Sequence, residues 1–384
     1  MRPLRTTSLL ALLAAAAACA DGSPSASRPR AAAPLRLAAG NGISGAYLVV
    51  LNEGADPRGI AATLGVAPRH VYTAAVNGFA ATLTQGQVNA LRQSPAVAWI
   101  EQDAVYHAQT TQTNAPWGLD RIDQRNLPLS GTYTYNSTGT GVRAYIIDTG
   151  IQANHPQFGT RAQSVYDYAG GSGADCNGHG THVAGIVGAA TYGVARNVQL
   201  RGVRVLDCNG AGSTSAIVAA IDWVRANAVK PAVANLSLGG PVSSTLNTAV
   251  TSLSNAGVFT AVAAGNENQD ACNTSPASAG AVFATAATNP DDTRRSSGNY
   301  GPCVDGYAPG TNIVSTWINS STATLSGSSM AAPHVAGVAA LYKAAFGDAA
   351  SSTVDAWIKN NATAGVVKNV PAGTPNRLLY KAAL

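Results

Sequence analysis

Long hydrophobic runs are scarce in this 384-residue chain. One apolar stretch, Leu9 to Ala18, follows Arg2 and Arg5 and ends in Ala18-Cys19-Ala20, small residues that suit a signal peptidase cutting before Asp21. The stretch is too short for a lasting membrane helix and no later segment is long and apolar enough, which excludes a stable span. The reading is therefore a secreted chain with a leader over 1–20, lipid attachment at Cys19 being the other use of that cysteine. Charge is sparse as well, at 11% of residues with a net +5. From Thr110 onward 16 basic residues face 14 acidic ones with no basic run, which excludes a nucleic-acid partner. Of five cysteines, removal of the leader leaves Cys176, Cys208, Cys272 and Cys303. An even number in an exported chain indicates disulfides, in any of three pairings. What is abundant is apolar residues (46%) and 40 glycines, the composition of a loop-rich globular protein with room for two domains.

Residues 21–45 are rich in Ser, Pro, Ala and Arg and read as a flexible linker. The Gly40-x-Gly42-x-x-Gly45 pattern within them precedes a strand instead of following one, so it is not a dinucleotide site. Residues 46–107 read as β-α-β-β-α-β: "AYLVVLN", a helix capped by Asp56-Pro57, "HVYTAA", "NGFAATL", a helix from Thr84 to Gln93, and "AVAWIEQDAVYH". That order predicts a small α+β, ferredoxin-like domain. "AQTTQTNAP" reads as an exposed linker. Residues 114–384 alternate short β-rich runs ("VRAYIID", "VQLRGVRVL", "PAVANLSL", "VFTAVAA", "AVFATAA") with helical stretches, including Gly180 to Ala190 and Met330 to Phe346. Strands buried on both faces with helices between them predict an α/β domain with a parallel sheet, its functional residues at the strands' carboxyl ends.

At those ends stand several groups that carry chemistry. Asp148 closes "VRAYIID", where it reads as an Asx turn or as a carboxylate that orients an imidazole. "NGHGTHVAG" puts His179 and His182 at a glycine-rich helix start; either is a candidate general base, or with Cys176 and Cys208 they form a Cys2His2 zinc set. In "GSSMAAPHVAG", Ser328 and Ser329 open a helix with Pro333 near its first turn, where a missing N–H does little harm. A hydroxyl there caps the helix or, beside a base, acts as a nucleophile favoured by the helix dipole. Asn266 in "VAAGNEN" reads as a turn residue or as a donor to an oxyanion.

Together "IIDTGI", "NGHGTHVAG", "SLGG", "AAGN" and "GSSMAAPHVAG" resemble the subtilisin-like serine proteases, most closely the proteinase K and aqualysin branch. The resemblance spans Ala46 to the carboxyl end, and the Asp–His–Ser order is that family's own. It implies a subtilisin-like three-layer domain with a mainly parallel central sheet, preceded by an inhibitor-type propeptide. It assigns Asp148 as the orienting acid, His179 as the base, Ser329 as the nucleophile, and Asn266 with the Ser329 N–H as the oxyanion hole, leaving His182 structural. Substrate would bind as an added strand between Gly210-Ala211-Gly212 and Ser237-Leu238-Gly239. A small, apolar lining (Ala263, Ala264, Gly265) implies apolar or aromatic residues before the scissile bond. Maturation falls in a processing linker over 108–113, and the product is expected to be a monomer.

The resemblance also implies Cys176–Cys208 and Cys272–Cys303, closing loops that would each stabilise by roughly 3–4 kcal/mol. It implies structural Ca²⁺ at Asp120, Asp123 and Gln124, again at Gly280, Val282 and Asp305, and at Asp167 with Asp175. No cofactor is expected for catalysis. Two departures stand out: Ser328 where the motif usually has Thr, and "SSGNYG" (Ser296 to Gly301), which lacks an aromatic before Asn-Tyr. The alternatives are a catalytically inactive peptide-binding relative and a zinc-dependent hydrolase.

Overall fold

The structure, a computed structural model, describes residues 31–38, 42–105 and 110–384, and elements are counted among these. The chain divides into two compact units, Met1–Val105 and Tyr106–Leu384. The expected leader, most of the lead-in, residues 106–107 at the end of the expected propeptide domain and residues 108–109 of the processing linker lie outside the described residues.

The smaller unit contains β1 (Leu35–Arg36), β2 (Gly42–Leu51), α1 (Pro57–Thr63), β3 (His70–Tyr72), β4 (Gly78–Thr82), α2 (Gln85–Gln93) and β5 (Val97–Ala104). From β2 to β5 the β-α-β-β-α-β order holds, with antiparallel neighbours in the order β5-β2-β4-β3. Local chemistry sets both helix starts. Asp56 accepts from Arg58 N at 3.0 Å ahead of Pro57, and Thr84 with Gln87 forms a capping box. Val88 and Leu91 then pack on Val49, Phe79 and Ile100. The lead-in differs from expectation: Leu35–Arg36 pair in parallel with Ile100–Glu101, and β2 begins at Gly42. The open edge of β5 explains this, since a short parallel strand satisfies its backbone groups while Ala33 is buried in the core.

The larger unit begins with β6 (Thr110–Thr113), α3 (Trp117–Asp123), β7 (Thr132–Tyr135), β8 (Arg143–Asp148), β9 (Ala162–Asp167), α4 (His179–Gly188) and β10 (Gln199–Arg204). There follow α5 (Thr214–Asn227), β11 (Ala232–Leu236), β12 (Gly240–Pro241), α6 (Ser244–Asn255), β13 (Phe259–Ala263), β14 (Thr274–Ser275), β15 (Phe283–Thr288) and β16 (Gly306–Pro309). It ends with β17 (Ile313–Trp317), β18 (Ser321–Leu325), α7 (Ser328–Phe346), α8 (Ser351–Asn361), β19 (Thr363–Ala364) and β20 (Arg377–Leu378). Residues 110–113, expected as exposed linker, instead pair with β7, Thr111 facing Thr134. Their all-polar sequence carries no apolar alternation to announce a strand.

The main sheet runs β19-β20-β16-β15-β13-β11-β8-β10-β9 and is parallel except for β19. Alternation along β8 makes the three layers. Ala144 and Ile146 join the core under α4 and α7, while Tyr145 and Ile147 join the core under α5 and α6. The chain leaves β8 toward β9 and β10 on one side, then returns to build β11, β13 and β15 on the other. The β8/β11 junction is thus a topological switch point, where the strands' carboxyl ends open a crevice.

Candidate active site

Asp148, the last residue of β8, is fully buried. Its Oδ1 accepts from Thr149 N at 2.7 Å and from His179 Nδ1 at 2.8 Å. His179 opens α4, and the turn before it needs glycine. Gly178 has φ 109°, and a Cβ there would lie 2.4 Å from the Trp317 ring. Burial by itself lowers the imidazole's proton affinity. The charge and hydrogen bond of Asp148, joined by the charge of Asp175, outweigh that and hold the His179 pKa above its ordinary value.

Two residues past the register pair Ile146–Asn235 stand Asp148 on β8 and Ser237 after β11, on adjacent strands. Ser237 is linked reciprocally to Ser329: its Oγ donates to Ser329 O at 2.7 Å, and Ser329 Oγ donates to Ser237 O at 3.3 Å. Pro333 explains why the Ser329 carbonyl is free. It lies inside α7, not in its first turn, and its missing N–H is the donor that would have met the carbonyl of residue 329. The Ser237 hydroxyl substitutes for it, itself oriented by Asn235 Nδ2 at 2.9 Å.

The next strand over, β13, leads to Gly265 and Asn266. Asn266 Oδ1 accepts from Ser328 N at 2.8 Å, leaving Nδ2 as the outward donor. Gly265 N donates to Ser328 Oγ at 3.1 Å, a contact that needs the hydroxyl and not the methyl a threonine would add. Gly265 has φ 104°, and a Cβ there would lie 2.1 Å from Asn299 Nδ2 and 2.7 Å from Glu267 Oε2. Asn299, in the stretch lacking the aromatic, is fully buried. It accepts from Glu267 N and Gln269 N and donates to Ala264 O, bracing the loop that carries Asn266. The first-turn N–H of Ser329 has no acceptor within its own helix.

Residues 210–212 follow β10 and residues 237–239 follow β11, so the two expected substrate edges flank the end of β8. Asp207 Oδ1 shapes the first edge by accepting from Asn209 N and Ala211 N, both at 2.9 Å. Ala263 is buried at the end of β13, beside the second edge.

Disulfides Cys176–Cys208 and Cys272–Cys303 are formed, the first joining the His179 loop to the segment before Gly210. This removes the zinc alternative, because both of its sulfurs are in that bridge. His182 is not available either, since its Nε2 donates to Ile313 O and Ala323 O on the β17–β18 hairpin. Burial drives the His182 pKa down to about 4, so the ring stays neutral.

The carboxylates of the expected calcium sets are engaged by the protein's own donors and cations. Asp120 accepts from Ser130 N, Ser130 Oγ and Gly131 N. Asp123 pairs with the Lys381 ammonium at 2.9 Å, and Gln124 spends its amide on Ser130 N and the Asn126 and Pro128 carbonyls. Gly280 and Val282 border a cavity of about 240 Å³ whose positive charge is Lys359. Lys359 lies 2.7 Å from Asp305, whose other oxygen accepts from Ala284 N. Asp167 meets Arg204 at 3.5 Å and accepts from Ala169 N and Gly173 N. Among the described residues no three His, Cys, Asp or Glu side chains are grouped to hold a metal.

The family model for the subtilase family, Peptidase_S8, matches residues 139–378. The chain belongs to the subtilase family. Residues 65–109 match the peptidase inhibitor I9 model, so this subtilase carries a propeptide of that type. An extracellular serine proteinase of Thermus sp. (strain Rt41A) is 48% identical over 97% of this chain and 98% of its own length. Proteinase R of Parengyodontium album is 45% identical over 91% and 92%. A crystal structure of a cold-adapted subtilisin-like serine proteinase superposes with a TM-score of 0.69 at 49% identity, covering 71% of this chain and all of that one. The protein is a subtilisin-like serine endopeptidase, and subtilases need no catalytic cofactor. No helix among the described residues is long and apolar enough to cross a membrane.

Proposed function

We propose that Ser329, His179 and Asp148 form the triad of this endopeptidase. Ser329 Oγ attacks the scissile carbonyl while His179 Nε2 takes its proton. Asp148 holds Nδ1–H and stabilises the resulting imidazolium. The oxyanion is met by Asn266 Nδ2 and the Ser329 N–H, and His179 returns the proton to the leaving amine before water releases the acyl group. The observation that carries this reading is the 2.8 Å His179–Asp148 bond on the strand next to the reciprocal Ser237–Ser329 link.

Substrate pairs as a strand between 210–212 and 237–239, and Ala263, Ala264 and Gly265 favour apolar or aromatic side chains before the cut. The chain is secreted, monomeric, and made as a precursor with a leader over 1–20 and a propeptide domain over 46–107. It cuts itself within 108–113 to release 114–384 with the few residues before it. N-terminal sequencing of secreted protein tests this: wild type starts near Thr110, whereas Ser329→Ala starts near Asp21 and keeps its propeptide. A Ser329→Ala that also starts near Thr110 would refute it.

Structural calcium is typical of the family, and here its binding requires displacement of Lys381 from Asp123 or of Lys359 from Asp305. Calcium should therefore raise the melting temperature of Lys359→Met more than that of wild type. An equal calcium response in both proteins would show that Lys359 does not occupy the ion's place.

A further inference from the structure

Asp175, expected as a calcium ligand, spends its carboxylate on the chain. Its Oδ1 accepts from Thr149 Oγ1 at 2.9 Å, Asn177 N at 3.0 Å and Gly178 N at 2.8 Å. Its Oδ2 accepts from Thr181 N at 2.9 Å and Thr181 Oγ1 at 2.6 Å. Both threonines are fully buried, and each hydroxyl passes the connection on. Thr149 Oγ1 accepts from Gly180 N, and Thr181 Oγ1 accepts from Gln152 N, each at 2.9 Å.

Residues 149 and 152 continue the chain beyond β8, while 177–181 run from the turn before α4 into its first turn. One carboxylate therefore ties together the two segments that carry Asp148 and His179. The tie reaches Asp148 itself, because the N–H of Thr149 and the Nδ1–H of His179 meet on the same Asp148 oxygen. A shift of Thr149 rotates that oxygen away from the imidazole.

We propose that Asp175 is a second positioning carboxylate for His179, fixing the Asp148–His179 geometry through Thr149 and Thr181 and adding negative charge that favours the imidazolium. The proposal rests on His179 being the base. Asp175 acts through its neighbours and touches neither substrate nor reacting atoms.

The charged and titratable groups around His179 are few. Asp148 faces it from β8, His182 lies one turn along its own helix, and Asp175 stands in the loop before it. Arg204, the nearby cation, is engaged by Asp167 and lies against Cys176 Sγ. The charge of Asp175 acts in the same direction as that of Asp148, raising the His179 pKa. An asparagine at 175 keeps the shape but offers one acceptor oxygen where five donors converge, and it removes the charge.

The test uses mature enzyme, with active sites counted by fluorophosphonate titration. Asp175→Asn should lose on the order of ten- to a hundredfold in kcat per active site, KM changing little, since small displacements of a base are costly. Its acidic limb of kcat/KM should move to lower pH. Thr149→Val, which breaks the tie but keeps the charge, should lose kcat with a smaller movement of the limb, and Thr149→Ser should restore kcat. If Asp175→Asn melts earlier but keeps wild-type kcat and limb, Asp175 only caps the loop and the proposal falls. Should Asp175→Asn not fold, wild-type kcat in Thr149→Val overturns it instead. His179→Ala serves as the separate control: activity retained there defeats the assignment of the base, whatever Asp175 does.

Discussion

The two halves of the site are held by different means. On the His179 side the support is charged: buried Asp148 bonds the ring directly, and Asp175 binds the loop beneath it. On the Ser329 side the direct contacts are neutral, made of the Ser237 hydroxyl, the Asn235 and Asn266 amides and backbone N–H groups. The carboxylate beside them, Glu267, is spent on Asn266 N at 2.8 Å and Asn299 Nδ2 at 2.9 Å. In the proposed reaction the imidazole gains a proton, and fixed anions stabilise it. Beside Ser329 negative charge develops on the substrate oxygen, where a carboxylate would raise the barrier and a neutral donor lowers it.

Removing the reacting groups should break the comparison most severely. Ser329→Ala or His179→Ala should each lower kcat about 10⁶-fold, and Asp148→Asn about 10⁴-fold, by analogy with magnitudes measured on subtilisin. Steady-state hydrolysis of a chromogenic peptide measures all three. Placing charge on the neutral half comes next. Asn266→Ala should cost about 10²–10³ in kcat with KM little changed, again a subtilisin magnitude. Asn266→Asp should be worse than Asn266→Ala, and an Asp variant faster than the Ala variant would mean that no oxyanion forms there.

Smaller effects sharpen how the neutral half is braced. Ser237→Ala leaves the Ser329 carbonyl without its donor and should destabilise inhibited enzyme by about 1–3 kcal/mol. Pro333→Ala in the same chain restores a backbone N–H at that carbonyl and should recover part of the loss in thermal melts. Additive losses in the double variant would contradict the substitution of one donor for the other. The mildest test is pH. Because the His179 pKa is raised, the ring keeps its proton above the ordinary 6.5, and activity should appear with rising pH on a limb above that value. High salt should move the limb little, because Asp148 is fully buried and a buried pair is screened far less than an exposed one.

Much of this was legible in the sequence, and the exceptions have physical causes. Asp148, His179 and Ser329 sit in motifs whose glycines and small residues are dictated by close backbone packing, as Gly178 against Trp317 illustrates. The helices under both faces were readable from their caps and apolar spacing. The roles of Asn235, Asp175 and Asn299 were not, because they depend on tertiary contacts: Asn235 orients the Ser237 hydroxyl that reaches Ser329, Asp175 meets Thr149, and Asn299 braces the loop 264–269. Pro333 was read as harmless, which missed that its lost donor reserves the Ser329 carbonyl for Ser237. The partners of the expected calcium carboxylates were not legible either, because Lys381 and Lys359 lie far along the chain from Asp123 and Asp305.

The account depends most on Ser329 being the atom that attacks. Mature enzyme inactivated with a fluorophosphonate, digested and sequenced by mass spectrometry, addresses this directly. The account predicts one adduct per chain, on Ser329, appearing in step with the loss of activity and absent from His179→Ala. An adduct on a different serine, or full activity in enzyme labelled at Ser329, would contradict it.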